Sequence, residues 1–395
     1  MSHNSTDAIR REKQLVTLLS RFPVDSVASD RAQELLSRGV EWPAVIELAT
    51  RWQVEPVVFG NLRAHFRETI PSDVLIEIAS LERDQRAFAL SRTLRVVELA
   101  KSMTSAGIRT IVLKGPAIAI AAYGDCSRRS FADIDLLVPK GDLSAAQDLL
   151  VAGGYSPKFS AGMFGALVSG QHALEFAGTG PSVEVHWSLL SRHLRFDLQP
   201  DELWRDSQTL QCAGAEIQAL SPPHLFLYLC AHGAKHEWML FRWVCDVAQL
   251  AQRLTSAEAG QVMELAARTN SKRILAVALR LMQDTFGEED SPFPAAAFAA
   301  DRNTDVLIAV AKARFDAPSE ATPALLPAGL ARLHPYAEPF TFWIRARERR
   351  RDQLVCAARF IFEPAPRDSE GGTLNTLMRP ARLAANALMR AVHPA

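Results

Sequence analysis

The sequence is short of cysteine, of net charge and of long apolar runs, and each shortage removes a class of protein. Five cysteines (Cys126, Cys212, Cys230, Cys245 and Cys356) are scattered over 395 residues, odd in number and never in CxxC spacing. A disulfide framework and a zinc ribbon are therefore both excluded as organising principles, and a reducing cytoplasm is the expected location. Lys+Arg total 44 and Asp+Glu total 44, a formal net charge of zero. A broad basic surface for long nucleic acids is not expected from that balance, although a local basic groove is compatible with it. No window approaches the roughly 18 apolar residues that span a bilayer, and Met1–Arg11 has no signal-peptide core behind it. Internal repeats are lacking too. What is present is a hydrophobic fraction of 48% and a charged fraction of 22%, the composition of a globular enzyme long enough for two or three domains.

Helical spacing dominates both ends of the chain. Leu15, Leu18, Leu19 and Phe22 recur on one stripe, as do Val45, Leu48 and Ala49, and a longer pattern runs from Val74 to Leu99 with Ser72 as its expected N-cap. From Ser221-Pro222-Pro223 onward the pattern is helical again. Two stretches stand out there, one from His224 through Leu254 and one from Ala259 through Met282. Ser291–Ala299 and Pro318–Pro327 read as Pro/Ala-rich loops, and a basic helix near Arg345–Arg351 precedes a turn and a final helix carrying Leu383, Ala387 and Leu388. Glu348 and Asp352 interrupt that basic run, so it reads as a solvated helix face. Phe340–Trp343 reads as core.

Between these blocks the character changes. Ile108–Gly115 is a β-branched run ending at a glycine, and Pro116 then sits at the first position of a helix, where its missing N–H costs nothing. A polar loop leads to Phe131–Pro139, a strand stopped by proline. The next helix is capped by Asp142 or Ser144 and ends at Gly153-Gly154. Two more strands follow, from His172 and from Ser182. In the second, Val183, Val185 and Trp187 share one face while Glu184 and His186 share the other. The order β-α-β-α-β-β describes an α+β fold with a small mixed β-sheet, without the regular alternation of a doubly wound one. The division expected is a helical region over 1–100, a mixed core over 101–220 and a second helical region over 221–395.

The chemistry is concentrated at Asp133-Ile134-Asp135. In an extended chain residues i and i+2 point the same way, which places two carboxylates on one face about 7 Å apart along the backbone. Such a pair is unfavourable unless a proton or cation neutralises it, and a hard divalent ion suits paired carboxylates and phosphate oxygens together. Glu184 is the preferred third carboxylate, either to complete a two-metal site or to take an acceptor's proton, with Glu175 as its competitor. Lys114-Gly115 closes a strand and opens a helix, where backbone N–H groups favour a phosphate. Arg129 lies four residues before Asp133, and a guanidinium suits phosphate oxygens. Other signals are weaker. His232 and His236, four apart on a helix, lack a third residue spaced to join them on zinc. Arg242 and Asp246 read as an ordinary i,i+4 pair on an amphipathic face. His186 reads equally as a phosphate contact, as a group orienting Glu184, or as a half-buried histidine.

The segment LKGPAIAIAAYGDCSRRSFADIDLLV, followed some fifty residues later by VEVHW, resembles the uncharacterised nucleotidyltransferase group of the polymerase beta-like superfamily. The likeness extends through LYLCAHGAKHEWMLFRWVCDVAQL and covers about residues 90–395. It implies a polymerase beta-like core, catalytic and metal-holding roles for Asp133, Asp135 and Glu184, and Mg²⁺ (or Mn²⁺) as cofactor. It also sets the helix of Lys235 and His236 near the catalytic sheet. Lys114, Gly115, Arg129, His186, Lys235 and His236 are then the expected nucleotide- and phosphate-binding set. One departure stands out: the superfamily's Gly-Ser turn is here Lys114-Gly115-Pro116, with no hydroxyl, so Lys114 would substitute as a point charge. The resemblance implies transfer of a nucleoside monophosphate from an NTP to a small-molecule or peptide acceptor. The missing serine leaves room for an alternative, a nucleotide-sugar-dependent transferase acting on a modified peptide; a non-catalytic nucleotide-binding scaffold is a third reading, against which the intact carboxylate set argues.

Overall fold

A computed structural model describes residues 2–158, 171–178, 180–196, 198–287, 291–316 and 337–362. The predicted turn after Phe362, the final helix and the Pro318–Pro327 loop lie outside these residues.

Five helices come first: Ser2–Leu19, Ser26–Ser37, Trp42–Arg51, Glu55–His65 and the long Ser72–Ser105. Leu15, Val45, Leu48 and Ala49 are all buried, as their spacing requires. Ser72 is not the cap expected of it. Pro71 occupies the N-cap position with φ −54°, and no side chain caps the first turn.

Seven strands follow: β1 (Ile111–Val112), β2 (Ile134–Leu137), β3 (Ser156–Pro157), β4 (Ala173–Ala177), β5 (Val183–His186), β6 (Gln208–Cys212) and β7 (Ala215–Ala219). They form one mixed sheet in the order β3-β4-β5-β2-β1-β7-β6, with β2/β5 and β1/β7 parallel and the other pairs antiparallel. The fold is therefore α+β with a mixed sheet, but the sheet is larger than the sequence implied. The β6–β7 hairpin closes through Ala213 and Gly214, both at positive φ (48° and 78°), the backbone of a tight two-residue hairpin turn. Asp133 precedes β2 instead of lying inside it.

Alternation divides the sheet into two faces. Ile134, Leu136, Leu174, Phe176, Val183, Val185 and Trp187 pack with Val96, Val97 and Met103 of the long helix and with Leu143 and Leu150 of helix Leu143–Ala152. That helix ends at Gly153 and Gly154, as predicted, but Asp142 at its N-cap makes no side-chain bond. The opposite face carries Asp135, Glu184 and His186, and it looks toward the helices that follow β7.

Those helices are more broken than the periodicity implied. The first stretch divides into Pro222–Lys235 and Phe241–Ala251, the second into Ser256–Arg268 and Lys272–Phe286. The breaks fall where non-glycine residues take positive φ, Glu237 (53°) and Trp238 (55°) in one, Asn270 (51°) in the other. Helix Ser256–Arg268 starts on a capping box, Thr255 and Glu258. After Arg302–Asp316 the basic run divides as well, between Ala337–Ala346 and Arg350–Phe362. Arg347 is not on a solvated face. It is 1% exposed, donating to Ser271 Oγ at 3.0 Å and to the Thr269 carbonyl at 2.5 Å, because the break turns it inward onto the other helix break. Phe342 and Trp343 are core, as expected. Among the described residues no helix is long and apolar enough to cross a membrane.

Candidate active site

The parallel pairing of β2 with β5 sets the floor of the site. Asp135 stands directly opposite Glu184 and Leu137 opposite His186, so the polar side chains of both strands leave the same face. Ligand atoms of Asp135, Glu184 and His186 all lie within 4.8 Å of one another. His186 Nε2 is 3.0 Å from Asp135 Oδ1 and 3.2 Å from Glu184 Oε2.

Lys114 reaches the same carboxylate from the next strand. After β1 the chain bends at Gly115 (φ 59°), where an added Cβ would stand 3.0 Å from the Phe131 ring, so only glycine fits. The bend brings Lys114 Nζ to 2.6 Å from Asp135 Oδ1, and Pro116 starts the next helix at once. A π-type turn, Ala119–Tyr123, ends that helix at Gly124.

Electrostatics separate the three carboxyls. Burial favours the neutral acid at Asp135, but Lys114 and His186 outweigh it and hold the group well below the carboxylate range. Glu184 is lowered by its bond from His186, against burial. Asp133 goes the other way: burial and then the charge of Asp135 raise it, with Glu184 adding to the effect. Burial lowers His186, yet its bonds to Asp135 and Glu184 raise it overall. At Lys114 burial is likewise overcome, by Tyr228 and Asp135. Even so, Asp135 Oδ2 is buried without a hydrogen-bond partner among the described residues.

That orphaned oxygen is the test of whether a divalent cation fits here. Leaving a buried carboxylate oxygen unpaired is costly. Two further carboxyls crowd beside it, one already raised by the crowding. The donor set of carboxylates with one imidazole suits Mn²⁺ and, through its oxygens, Mg²⁺. Glu175 is directed elsewhere; on β4 it stands opposite Glu184 of β5, but its side chain is ion-paired with Lys158 at the edge.

A cavity of about 300 Å³ opens over this floor. Lys114, Gly115, Asp133, Glu184 and His186 line one wall; Tyr228, His232, Lys235, His236, Arg242 and Trp243, from helices Pro222–Lys235 and Phe241–Ala251, line the other. Lys235 makes no side-chain hydrogen bond or ion pair among the described residues; burial, then Lys114, lowers it to about 8. Both His232 and His236 reach the cavity.

Arg129 also lines the cavity, but its Nε is held 3.0 Å from both carboxylate oxygens of Asp246, which in turn accepts from the Tyr123 hydroxyl at 3.1 Å. The predicted Arg242–Asp246 pair on one helix is therefore replaced. Asp246 is fully buried, so it is paired across the fold, and Arg242 Nη1 donates to the Ser130 carbonyl at 2.6 Å. Helix Phe241–Ala251 thus grips the loop leading to β2 at both Arg129 and Ser130. The Ser130 hydroxyl lies 3.1 Å from Glu55 and 3.0 Å from Gln85, tying the N-terminal helices to the same loop. Sequence reasoning missed Tyr123, Glu55, Tyr228, Trp243 and this role of Asp246. Only Tyr228 had a signal, its spacing of four from His232.

With this geometry in view, a family model described as uncharacterised nucleotidyltransferase matches residues 38–287. Among solved structures, the chain is similar to an antigenic nucleotidyltransferase-like protein from Paracoccidioides brasiliensis. Identity is 15% and the TM-score 0.31, with 50% of this chain and 96% of that chain covered. No curated protein matches the sequence.

Proposed function

The chain belongs to the uncharacterised nucleotidyltransferase family, and from that premise we propose that it transfers a nucleoside monophosphate from an NTP to a hydroxyl or phosphate of a small-molecule or peptide acceptor. The observation that carries the reading is the alignment of Asp135 with Glu184 on adjacent parallel strands, with one buried oxygen of Asp135 unpartnered. Asp135 and Glu184, with a His186 ligand atom in the same cluster, are the residues that would hold Mg²⁺ or Mn²⁺, and Asp133, which lines the cavity outside that cluster, would be the third carboxylate. When bound, the cation supplies polarisation of phosphate oxygens and neutralisation of their charge.

The chain's own groups do the rest. Lys114 and Lys235 both line the cavity and would offer ammonium groups to phosphate oxygens, Lys114 in the place where the superfamily carries serine. Gly115 lets backbone approach the phosphates at a helix start. Arg129, fixed by Asp246, adds a guanidinium that needs no reordering on binding. An acceptor oxygen attacks the α-phosphorus, pyrophosphate leaves, and the acceptor's proton passes to Glu184, whose side chain is 33% exposed and thus open to the cavity.

The test is incubation with each labelled NTP and with a panel of nucleotide sugars, with Mg²⁺ and with chelator. NTP consumption with pyrophosphate release that needs Mg²⁺ and disappears in Asp135→Asn is the expected result. Consumption of a nucleotide sugar with NTPs untouched would move the chain to glycosyl transfer. Nucleotide binding equally tight without divalent metal would make it a non-catalytic binder.

A further inference from the structure

The cavity's helical wall has a feature that phosphate binding does not use. Tyr228, His232 and His236 lie along helix Pro222–Lys235 and its C-cap, and Trp243 meets them from the next helix. Ring centroids are 4.8 Å apart for His232–His236, 5.2 Å for His232–Trp243, 5.4 Å for His236–Trp243 and 6.1 Å for Tyr228–His232. All four rings line the cavity.

Neither imidazole has a side-chain hydrogen bond among the described residues. Both rings are half-buried and open onto the cavity, so their polar edges are available to a ligand there. Nor do they serve as cations. Burial, then Lys235, lowers His236 to about 3, and burial, then Lys114, takes His232 far below its ordinary value. A neutral imidazole offers a flat face and one donor and one acceptor at its edge. That suits a planar heterocycle and not a phosphate.

The fold also invests strain in this wall. The corner between the two helices places Glu237 and Trp238 at φ 53° and 55°, unfavourable for side-chain-bearing residues. It is held by a buried Glu237–Arg314 ion pair at 2.5 Å and by Trp238, whose ring fills the space where a Cβ on Gly233 would come within 2.7 Å. The same corner delivers His236 and Trp243 to one another.

We propose that this wall is the subsite for the donor's nucleobase, stacked on Trp243 and read at its edge by His232 and His236. The inference rests on the nucleotidyl-transfer reading and extends it. The phosphates lie under Lys114 and Lys235. Lys235 adjoins His236 in sequence, so a group tethered beyond the phosphates meets the rings next. Base–aromatic stacking is worth about a tenfold gain in affinity or more.

Calorimetric titration of the full chain with Mg²⁺ plus each of the four α,β-methylene NTP analogues, and with Mg²⁺ plus inorganic tripolyphosphate, tests it. At least one analogue is expected to bind about tenfold or more tightly than tripolyphosphate. In Trp243→Leu and in His236→Leu that ratio falls at least about fivefold while tripolyphosphate affinity holds within about twofold. Retained tripolyphosphate binding shows that the variant is folded. If Trp243→Leu loses it, His236→Leu and His232→Leu decide. A wild-type protein that binds tripolyphosphate as tightly as every analogue, or variants that keep the ratio, overturns the base subsite and leaves the phosphate site standing. Binding of neither probe by the wild type defeats the donor reading itself.

Discussion

Asp135 and Asp246 are both buried aspartates beside the same cavity, 2% and 0% exposed, and they are held in different ways. Asp246 accepts from Arg129 and Tyr123, and neither of its oxygens is left without a partner. Asp135 receives Lys114 and His186 on a single oxygen, Oδ1, while Oδ2 has no hydrogen-bond partner among the described residues and two more carboxyls lie close by. The first is a completed structural joint between a helix and the loop before β2. The second is a cluster in which Asp135, Glu184 and His186 bring their ligand atoms within 4.8 Å of one another, the arrangement on which the proposed cation binding rests. Neither burial nor an unpartnered oxygen sets Asp135 apart, since Glu12, Glu55 and Asp352 also carry one; the clustering of Glu184 and His186 within 4.8 Å of it does.

The sharpest way to break this comparison is Asp133→Asn. Burial and the charge of Asp135 raise the Asp133 carboxyl, so its ionised form works against the metal-free fold above its ordinary titration range, near pH 4. Neutralising it should leave the thermal midpoint in chelator unchanged or higher while pyrophosphate release falls about a thousandfold, the scale of several kcal/mol of lost charge stabilisation. The converse variant, Asp246→Asn, leaves Arg129 buried without a counter-charge. It should cost about 3 kcal/mol of stability by chemical denaturation while leaving divalent-ion affinity little changed. A result in which the two variants exchanged behaviours would dissolve the distinction.

Smaller effects sharpen it. His236 is lowered to about 3 by burial and then Lys235, and His232 is lowered far below normal by burial and then Lys114. A group depressed on folding leaves stability intact above its unfolded pKa of about 6.5 and removes it as pH falls toward the folded value. Each histidine should remove at most about 1.4 kcal/mol of stability per pH unit below pH 6, and His236→Gln should flatten the melting curve's pH dependence there. The smallest effect belongs to Glu175→Gln. Its partner Lys158 is half exposed, and such surface pairs contribute about 0–1 kcal/mol, so activity and melting point should both stay near wild type.

Much of the carboxylate floor was legible in the sequence, because strand alternation is a local rule. Val183 and Val185 against Glu184 and His186, and Asp133 and Asp135 around Ile134, assign faces without any tertiary knowledge. Pro116 and Gly153-Gly154 likewise mark helix ends by local chemistry. The rest depended on contacts distant in sequence. Asp246 reads as a helix-surface residue until Arg129 arrives from 117 positions away. The break at Glu237–Trp238 carries no proline or glycine of its own; it is imposed by Trp238 resting on Gly233 and by the pull of Arg314 on Glu237. The β6–β7 hairpin was hidden because Ala213, one of its two turn residues, is not a turn former by propensity. Arg347 looked solvated because its neighbours are charged, although a helix break turns it inward.

The measurement closest to the centre of the account is a calorimetric titration of the nucleotide-free protein with Mn²⁺, wild type beside Asp135→Asn and Glu184→Gln. The account predicts one saturable heat in the wild type that is lost in both variants while their folded spectra persist. Equal Mn²⁺ binding by all three proteins, or none in the wild type with or without an NTP analogue, would contradict it.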